Sequence, residues 1–432
     1  MSALGLDVTD RKWSSLTPWL RFAMGAGTVL LLALLFAILL RQPFEAIDDL
    51  IWLNKLRGDS FSSLLLSPAW MLKSSFYRPA AEIVLKIQYV FFGLDPRPYR
   101  YVQFAIVLLL LWLSLRLMRQ LKLRLETIFL LSVFVIGSPF ITGSMAWLSE
   151  LPHVIVLVCF VVGLIAITSA LTENRKLAIC TLAFAVALLS KENGLALTAF
   201  LIYFVRSLPV RSALAFAAVI AGYFAMRALV LGPSMGLSAF DEDGGYFFSF
   251  LTGAERRQMF SGAVYQLYAY DILAQVAAIL FRATAWGQIV GGINREVVIE
   301  AASTLVIFAG AAAAYRRHGA VFVILAIVAI GGTVFSYAYA RDRHLALPAL
   351  AYGFLLVMAT DELCRRFAAM PIVPLFCLWL AWAAQAGLAL RAIDHLSTQT
   401  IEEVYRPNAS PLNPNLPSEV WTAARERALS LR

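Results

Sequence analysis

Five short polar stretches interrupt an otherwise apolar chain, and each carries side chains that handle protons or phosphate. Asp48-Asp49 is an acidic pair. Tyr77-Arg78-Pro79 contributes a guanidinium, and Trp147-Leu148-Ser149-Glu150-Leu151-Pro152-His153 contributes a carboxylate and an imidazole. Lys191-Glu192 joins opposite charges, and Arg341-Asp342-Arg343-His344 sets two guanidiniums beside an acid and an imidazole. Arginine presents a planar fork that pairs phosphate oxygens two at a time, and lysine adds a point charge. A carboxylate opposite them accepts a proton from a hydroxyl as that hydroxyl becomes nucleophilic. Taken singly, every stretch has a plainer reading. Asp48-Asp49 would cap a helix, Glu150 would start one, and Lys191-Glu192 would be a solvated turn. Arg78, Arg341 and Arg343 would be interfacial anchors, and His153 and His344 satisfied hydrogen-bond partners. What separates the two readings is whether the stretches share one face.

The elements that must position them are membrane spans. The chain has 432 residues, of which 60% are apolar and 15% charged, against about 45–50% and about 25% in soluble globular chains. Apolar runs long enough to cross a hydrocarbon core of about 30 Å recur along it. Soluble, disordered and fibrous classes are thereby excluded, and the composition predicts an all-α, polytopic membrane protein. The net charge of +9 is no nucleic-acid signal, because Lys and Arg gather in short clusters between apolar runs, where they set orientation. Cys159, Cys180, Cys364 and Cys377 lie in or beside apolar runs without Cys-x-x-Cys spacing, which argues against both a disulfide framework and structural zinc.

Eleven spans are expected, at 22–40, 100–118, 127–140, 153–171, 177–190, 195–208, 212–231, 298–314, 320–338, 345–360 and 371–390. The run at 22–40 lacks a small-x-small cleavage site and reads as an uncleaved first span after a tail at 1–21. A weaker run at 261–282, with Gln266, Asp271 and Gln275, reads as a surface or re-entrant helix. With the amino terminus in the cytoplasm, Arg116/Arg119/Lys122/Arg124, Arg175/Lys176, Arg206/Arg211, Arg316/Arg317 and Arg365/Arg366 all fall inside, as the positive-inside bias requires. Two large loops, 41–98 and 232–297, then lie outside. In the first, Leu50–Leu56 and Ala80–Phe92 are expected along the interface. Residues 22–390 form one membrane domain, and 391–432 a polar tail.

This topology puts all five polar stretches on the outer face. Carboxylates and cations converging at headgroup depth, beside amphipathic segments able to shape a groove, suit a phosphate with a hydrocarbon chain attached. A sugar joined to a polyprenyl phosphate has that form.

The order of motifs resembles the GT-C class of membrane glycosyltransferases, nearest to protein O-mannosyltransferase-like enzymes. The residues that carry the resemblance are Asp48-Asp49, Tyr77-Arg78-Pro79, the turn Phe92-Gly93-Leu94-Asp95-Pro96, Pro139 followed by Trp147-Leu148-Ser149, Ser190-Lys191-Glu192 and Asp342-Arg343-His344-Leu345-x-Leu347-Pro348, over residues 44–360. The resemblance implies an eleven-span fold whose first outer loop bears the catalytic acid. It implies transfer of a sugar, with inversion, from a polyprenyl-phosphate donor. Asp48 or Asp49 would be the general base. Arg343, with Arg78 and Lys191, would bind the donor phosphate and offset leaving-group charge, and Glu150 and Glu192 would position the acceptor or hold these cations. Tyr77, His153, Arg341 and His344 belong to the same substrate-binding set.

Two departures stand out. Tyr99-Arg100-Tyr101-Val102-Gln103 replaces a usual Tyr-His-x-x-Asn, and Ser138-Pro139 and Gly143 stand where His-Pro and a downstream Glu are familiar. They bear on the acceptor, a glycan, glycolipid or protein, more than on the donor. No cofactor is implied; metal dependence varies within the class, which leaves a divalent metal open. The expected setting is a bacterial inner membrane with the site facing the periplasm. The alternatives are a transporter or flippase of lipid-linked sugar, which needs ionisable groups or helix breaks near the bilayer midplane, and a non-catalytic subunit of an envelope-assembly complex.

Overall fold

The computed structural model describes residues 7–66, 77–124, 126–232, 264–281, 295–332, 345–367, 372–407, 409–412 and 416–431, and among these it is helical without strands. After α1 (Asp7–Leu39) come two helices before the next long apolar helix, α2 (Asp48–Gly58) and α3 (Pro79–Phe92). α4 (Pro96–Gln120), α5 (Glu126–Gly137), α6 (Pro139–Ala146), α7 (Leu151–Thr168) and α8 (Glu173–Ser190) follow. A 3-10 stretch, Glu192–Phe200, runs into α9 (Leu201–Phe204), then α10 (Pro209–Leu231) and α11 (Val264–Phe281). α12 (Arg295–His318), α13 (Ala320–Gly331), α14 (Ala346–Phe367), α15 (Ile372–Gln399) and α16 (Ser418–Leu429) complete the order.

Among the described residues, seven helices are long and apolar enough to cross a membrane, or eight if the bent α5–α6 pair is one crossing. The protein is therefore an integral, multi-pass membrane protein. Four of the eleven expected runs take other forms. The run at 177–190 is the end of α8, whose first turns add Glu173, Arg175 and Lys176. The run at 195–208 is the 3-10 stretch with α9, and only part of the run at 320–338 is described, as α13.

The fourth, at 127–140, breaks at Ser138 into α5 and α6, which meet at 63°. Pro139 explains the break, because its ring drives the preceding residue out of the helical region, and Ser138 is extended at φ −80, ψ 111. The carbonyls freed at the end of α5 do not stay bare. The Thr142 hydroxyl lies 2.6 Å from Ile136 O and 2.7 Å from Ser138 O. The break is buried within the protein, the condition under which non-helical backbone is tolerated among membrane spans.

Two cores with different driving forces hold the molecule. The first lies among the spans. α14 is almost wholly buried at its centre, whereas α1 and α10 sit at the periphery and turn Trp19, Phe22, Leu214 and Leu229 outward. Between helices in lipid the hydrophobic effect is weak, so close packing supplies the attraction. Gly163 admits the ring of Phe200 and Gly310 admits Ala359, each so closely that an added Cβ would lie 2.3 Å and 2.7 Å away. The second core lies outside the spans. Leu50, Trp52, Leu53 and Leu56 of α2 pack with Leu85 of α3, Tyr99, Leu148, Tyr405 and, on α16, Val420 and Trp421. Here burial removes apolar surface from water, worth about 1.5–3 kcal/mol for each large side chain.

α2 and α3 occupy the stretches expected as short outer-loop helices. The expected tail starting at 391 begins as helix, since α15 continues to Gln399 and ends in a π turn at Thr400–Val404. For the run at 261–282, α11 is helical over Val264–Phe281, and Ile272–Phe281 within it is apolar but too short to cross a membrane alone.

Candidate active site

The acidic pair sits where α1 gives way to α2, and its two members are held differently. Asp49 is wholly buried and spends its oxygens on backbone donors. Oδ2 accepts from the N–H of Glu45 at 2.9 Å and of Leu148 at 3.4 Å, and Oδ1 accepts from Ser149 N–H at 2.7 Å. It thus stitches the segment after α1 to the loop before α7. Asp48 is half-buried at the first position of α2. Its N–H, with that of Ile47 at 3.0 Å, is taken by the carboxylate of Glu45, which acts as the helix cap. Burial first, and then the charges of Asp49 and Asp48, push the Glu45 carboxyl up to about 7, against the pull of its two backbone donors. Glu45 is thus a third acid of the cluster.

Arg100 fixes the backbone on which these acids ride. Its guanidinium donates to Gln42 O at 3.3 Å, to Pro43 O, to Ala146 O at 2.7 Å and to Gln103 Oε1 at 2.7 Å. The loop leading to Asp48 and the end of α6 are thereby tied to one buried cation. Sequence reading noticed Arg100 only as a departure from a motif. The available signal was a charged residue inside an apolar run, which is costly unless it has work to do.

Beyond Ser149 the same loop carries Glu150 and His153, where Pro152 enters the first turn of α7. His153 Nε2 lies 3.0 Å from Glu150 Oε2, and His153 Nδ1 lies 3.4 Å from the Asn193 side-chain nitrogen. Asn193 follows Lys191-Glu192, so the imidazole bridges the loop before α7 to the one after α8. Glu192 joins two guanidiniums: Arg78 Nη2 donates to Oε2 at 3.0 Å and Arg227 Nη1 to Oε1 at 3.0 Å. Arg227 also donates to Tyr223 OH at 2.8 Å, and the Tyr223 ring lies 6.2 Å from that of Tyr77, whose hydroxyl donates to Leu65 O. Lys191 is buried within reach of the charge on Glu192. Burial works to raise the Glu192 carboxyl, but Arg78, Arg227 and Lys191 outweigh it and hold it well below the usual carboxylate range.

The structure therefore brings Asp48, Asp49, Tyr77, Arg78, Glu150, His153, Lys191 and Glu192 into one continuous polar band at the end of the bundle where α1 gives way to α2. Arg341, Arg343 and His344 lie outside the described residues. Arg227 was missed: it stands inside the apolar run at 212–231, and an arginine there is a functional candidate for the same reason as Arg100. Among the described residues, no group of three or more His, Cys, Asp or Glu is placed to share a metal ion.

A small cavity opens separately at the break between α5 and α6. It is lined by Ser138, Pro139, Glu296, Glu300, Trp382 and Gln385, and the buried Gln385 Oε1 that lines it has no hydrogen-bond partner.

Comparison with known proteins agrees with this architecture. No family model and no curated protein matches the chain. Among solved structures, it is similar to ArnT from Cupriavidus metallidurans in the apo state, with a TM-score of 0.51 and 14% identity over 96% of this chain and 75% of that one. The structure of the same protein bound to undecaprenyl phosphate aligns with a TM-score of 0.47 and 15% identity, over 94% and 69% of the two chains. At this identity the likeness concerns the fold. The chain has a GT-C-like membrane glycosyltransferase fold.

Proposed function

We propose that this protein is an inverting glycosyltransferase that takes a sugar from a polyprenyl-phosphate donor and passes it to an acceptor at the periplasmic face of a bacterial inner membrane. The observation that carries the reading is the continuity of the polar band. It runs from Asp49 to Ser149, along the chain to Glu150 and His153, on to Asn193, and through its neighbours Lys191 and Glu192 to Arg78 and Arg227. Asp48 is the general base, because Asp49 is wholly buried whereas Asp48 is partly accessible at the first turn of α2. It takes the proton of the acceptor hydroxyl. The oxygen then attacks the anomeric carbon from the face opposite the phosphate, the bond from that carbon to the phosphate oxygen breaks, and polyprenyl phosphate leaves with the electron pair.

Arg78, Arg227 and Lys191 bind the phosphate and offset the charge that develops on it; Arg343, outside the described residues, is given the same role on the sequence resemblance alone. Glu192 holds both guanidiniums, accepting from Arg78 and Arg227 at 3.0 Å each. Glu150, paired with His153, is the residue assigned to position the acceptor. GT-C architecture and the order of the sequence motifs support the same assignment. The acceptor is a glycan, a glycolipid or a protein.

The test is a pair of substitutions assayed with polyprenyl-phosphate sugar in membranes, together with glycan mass spectrometry of the corresponding strains. Asp48→Asn should lower transfer by about 10²–10⁴-fold, the range for a lost acid–base group, at normal membrane levels. Asp49→Asn should reduce the amount of folded protein as well, because it loosens the joint between two loops. Full transfer by the Asp48→Asn, Asp49→Asn double variant would end the general-base assignment.

One feature favours a second reading, a transporter of lipid-linked sugar. The α5–α6 break with Glu300 and the unpartnered Gln385 is the kind of interrupted helix that lines translocation sites. Reconstituted vesicles separate the two: a transporter would move labelled lipid-linked sugar across the bilayer without forming a new glycosidic bond.

A further inference from the structure

The chain beyond the last span closes back on the acidic pair. From α15, Ile393 O accepts from Gln42 Nε2 at 3.0 Å and the Ser397 hydroxyl donates to Arg41 O at 3.0 Å. Past the π turn, Tyr405 is wholly buried and its hydroxyl donates to Phe44 O at 2.8 Å. Trp421 of α16 stacks on the Tyr405 ring, with centroids 5.2 Å apart and planes 18° from parallel, and its indole N–H donates to Ala409 O at 2.9 Å. α16 lies against α2, with Arg57 and Glu419 paired at the rim. At the far end, Arg97 donates to Ser430 O at 3.2 Å.

Every one of the central contacts falls on Arg41, Gln42 or Phe44, in the stretch directly before Glu45, Asp48 and Asp49. That stretch has no helix of its own, so its buried carbonyls need partners from elsewhere. Arg100 supplies them from the side of α4. The C-terminal segment supplies the rest. We infer that residues 393–407 and 416–431 are a positioning element of the active site, and that Tyr405 is the positioning residue through which they set the placement of the acidic pair. This inference rests on the transferase reading above.

The geometry argues for more than general stability. Tyr405 reaches the acid-bearing segment by a single directed hydrogen bond, while its ring is clamped by Trp421 so that the hydroxyl has no latitude. A misplacement of about 1 Å at a reacting group costs about 10²-fold in rate, and the base proposed here lies four residues from Phe44. A segment that only stabilised the fold would change how much enzyme survives purification. A positioning segment changes turnover per folded molecule.

The experiment uses the full chain with Tyr405→Phe, which keeps the ring and its stacking and removes only the hydroxyl. Trp421→Phe serves as a second variant that relaxes the clamp. Tyr203→Phe, at the opposite end of the bundle, is the control. In monodisperse purified protein, Tyr405→Phe should lower kcat about tenfold or more while the donor KM stays within about twofold. Deuterium uptake across 41–50 should rise, Trp421→Phe should shift both readouts in the same direction, and Tyr203→Phe should match the wild type. Wild-type kcat in both clasp variants, or a loss carried by donor KM, would overturn the inference. If the wild-type protein itself transfers no sugar, the transferase reading fails. The exchange data then decide alone: greater uptake across 41–50 in Tyr405→Phe supports the clasp and unchanged uptake refutes it.

Discussion

At the scale of single residues, the site is organised by charges that bury themselves only because they are paired. Removing one member of such a pair leaves the other unpaired in a poor solvent, which is costlier than the pair was valuable. Arg227 illustrates the consequence. It is 3% exposed and shares Glu192 with Arg78. Arg227→Ala should weaken donor affinity by at least about tenfold, the equivalent of about 1.4 kcal/mol. Arg227→Lys should lose less, since it keeps the charge but not the fork. Equal donor affinity in all three proteins, measured by titration calorimetry, would remove Arg227 from the phosphate site. Glu45 adds a pH dependence. Its carboxyl titrates near 7 in the folded protein, against an ordinary value of 4.5. Between those values the folded protein retains a proton that the unfolded chain releases, so stability present at low pH is lost as pH rises through 7. Burial raises Glu82 to about 7 in the same sense, despite its ion pair with Lys55 at 2.6 Å. The melting temperature in detergent should therefore fall from pH 5 to pH 8. Glu45→Gln should make that slope shallower without abolishing it, and a slope equal to the wild type would show that Glu45 does not titrate there.

At the scale of elements, the informative cases are those where a run of apolar residues did not become one straight span. The run at 127–140 contains its own interruption in Ser138-Pro139, and the proline made the break legible in principle. What was not legible is that Thr142 would satisfy the freed carbonyls, because that depends on the direction in which α6 departs. The nine-residue 3-10 stretch at Glu192–Phe200 is longer than such stretches usually run, and no local residue preference announces it. Its cause is tertiary. Gly194 lies so close to the backbone of α8 that an added Cβ would meet the Ala187 carbonyl group at 2.6 Å, while Phe200 is inserted at Gly163 of α7. Gly163→Ala should therefore destabilise the protein by about 1–3 kcal/mol, the usual cost of overpacking. Gly143→Ala, where an added Cβ meets nothing within 4 Å, should be near neutral. Thermal denaturation of the two variants side by side checks this, and equal midpoints would contradict the packing described.

At the scale of the whole molecule, α4 separates two charged ends of opposite design. One end holds the acids, Arg100 and the Glu192 pairings. At the other, Asp361 is buried and meets Arg365 at 2.7 Å, Arg124 at 3.5 Å and Arg317 at 3.8 Å, while Glu362 pairs with Arg317 at 2.6 Å. Lys122 turns the chain there in the left-handed region, at φ 55, and its carbonyl accepts from both Arg317 and Arg365. Three of the basic clusters used to assign orientation thus converge on one end of the bundle, away from the acidic pair. With that end in the cytoplasm, a cysteine placed at Glu419 in a cysteine-free background should react with a membrane-impermeant maleimide added outside intact cells. A cysteine at Arg316 should react only after permeabilisation. The reverse pattern would invert the orientation and move the proposed transfer to the cytoplasmic face.

What the sequence determined by itself was the solvent. An apolar majority with basic clusters between runs admits only a multi-pass helical protein, because backbone groups in lipid must find partners within their own helix. Four of the five polar stretches meet at one end of the bundle in the structure, and the fifth lies outside the described residues. Local composition also marked Asp48-Asp49, Arg78, Glu150, His153 and Lys191-Glu192 as residues worth explaining. Only the tertiary structure decided how those residues divide their work. Asp49 became a joint rather than an open acid because backbone donors from a loop about a hundred residues away occupy it. Arg100 and Arg227 entered the site because helix packing turned them inward, and the C-terminal segment became part of the site because Tyr405 found a carbonyl near the start of the chain. Such pairings depend on contacts between parts remote in sequence, and local pattern carries no record of them.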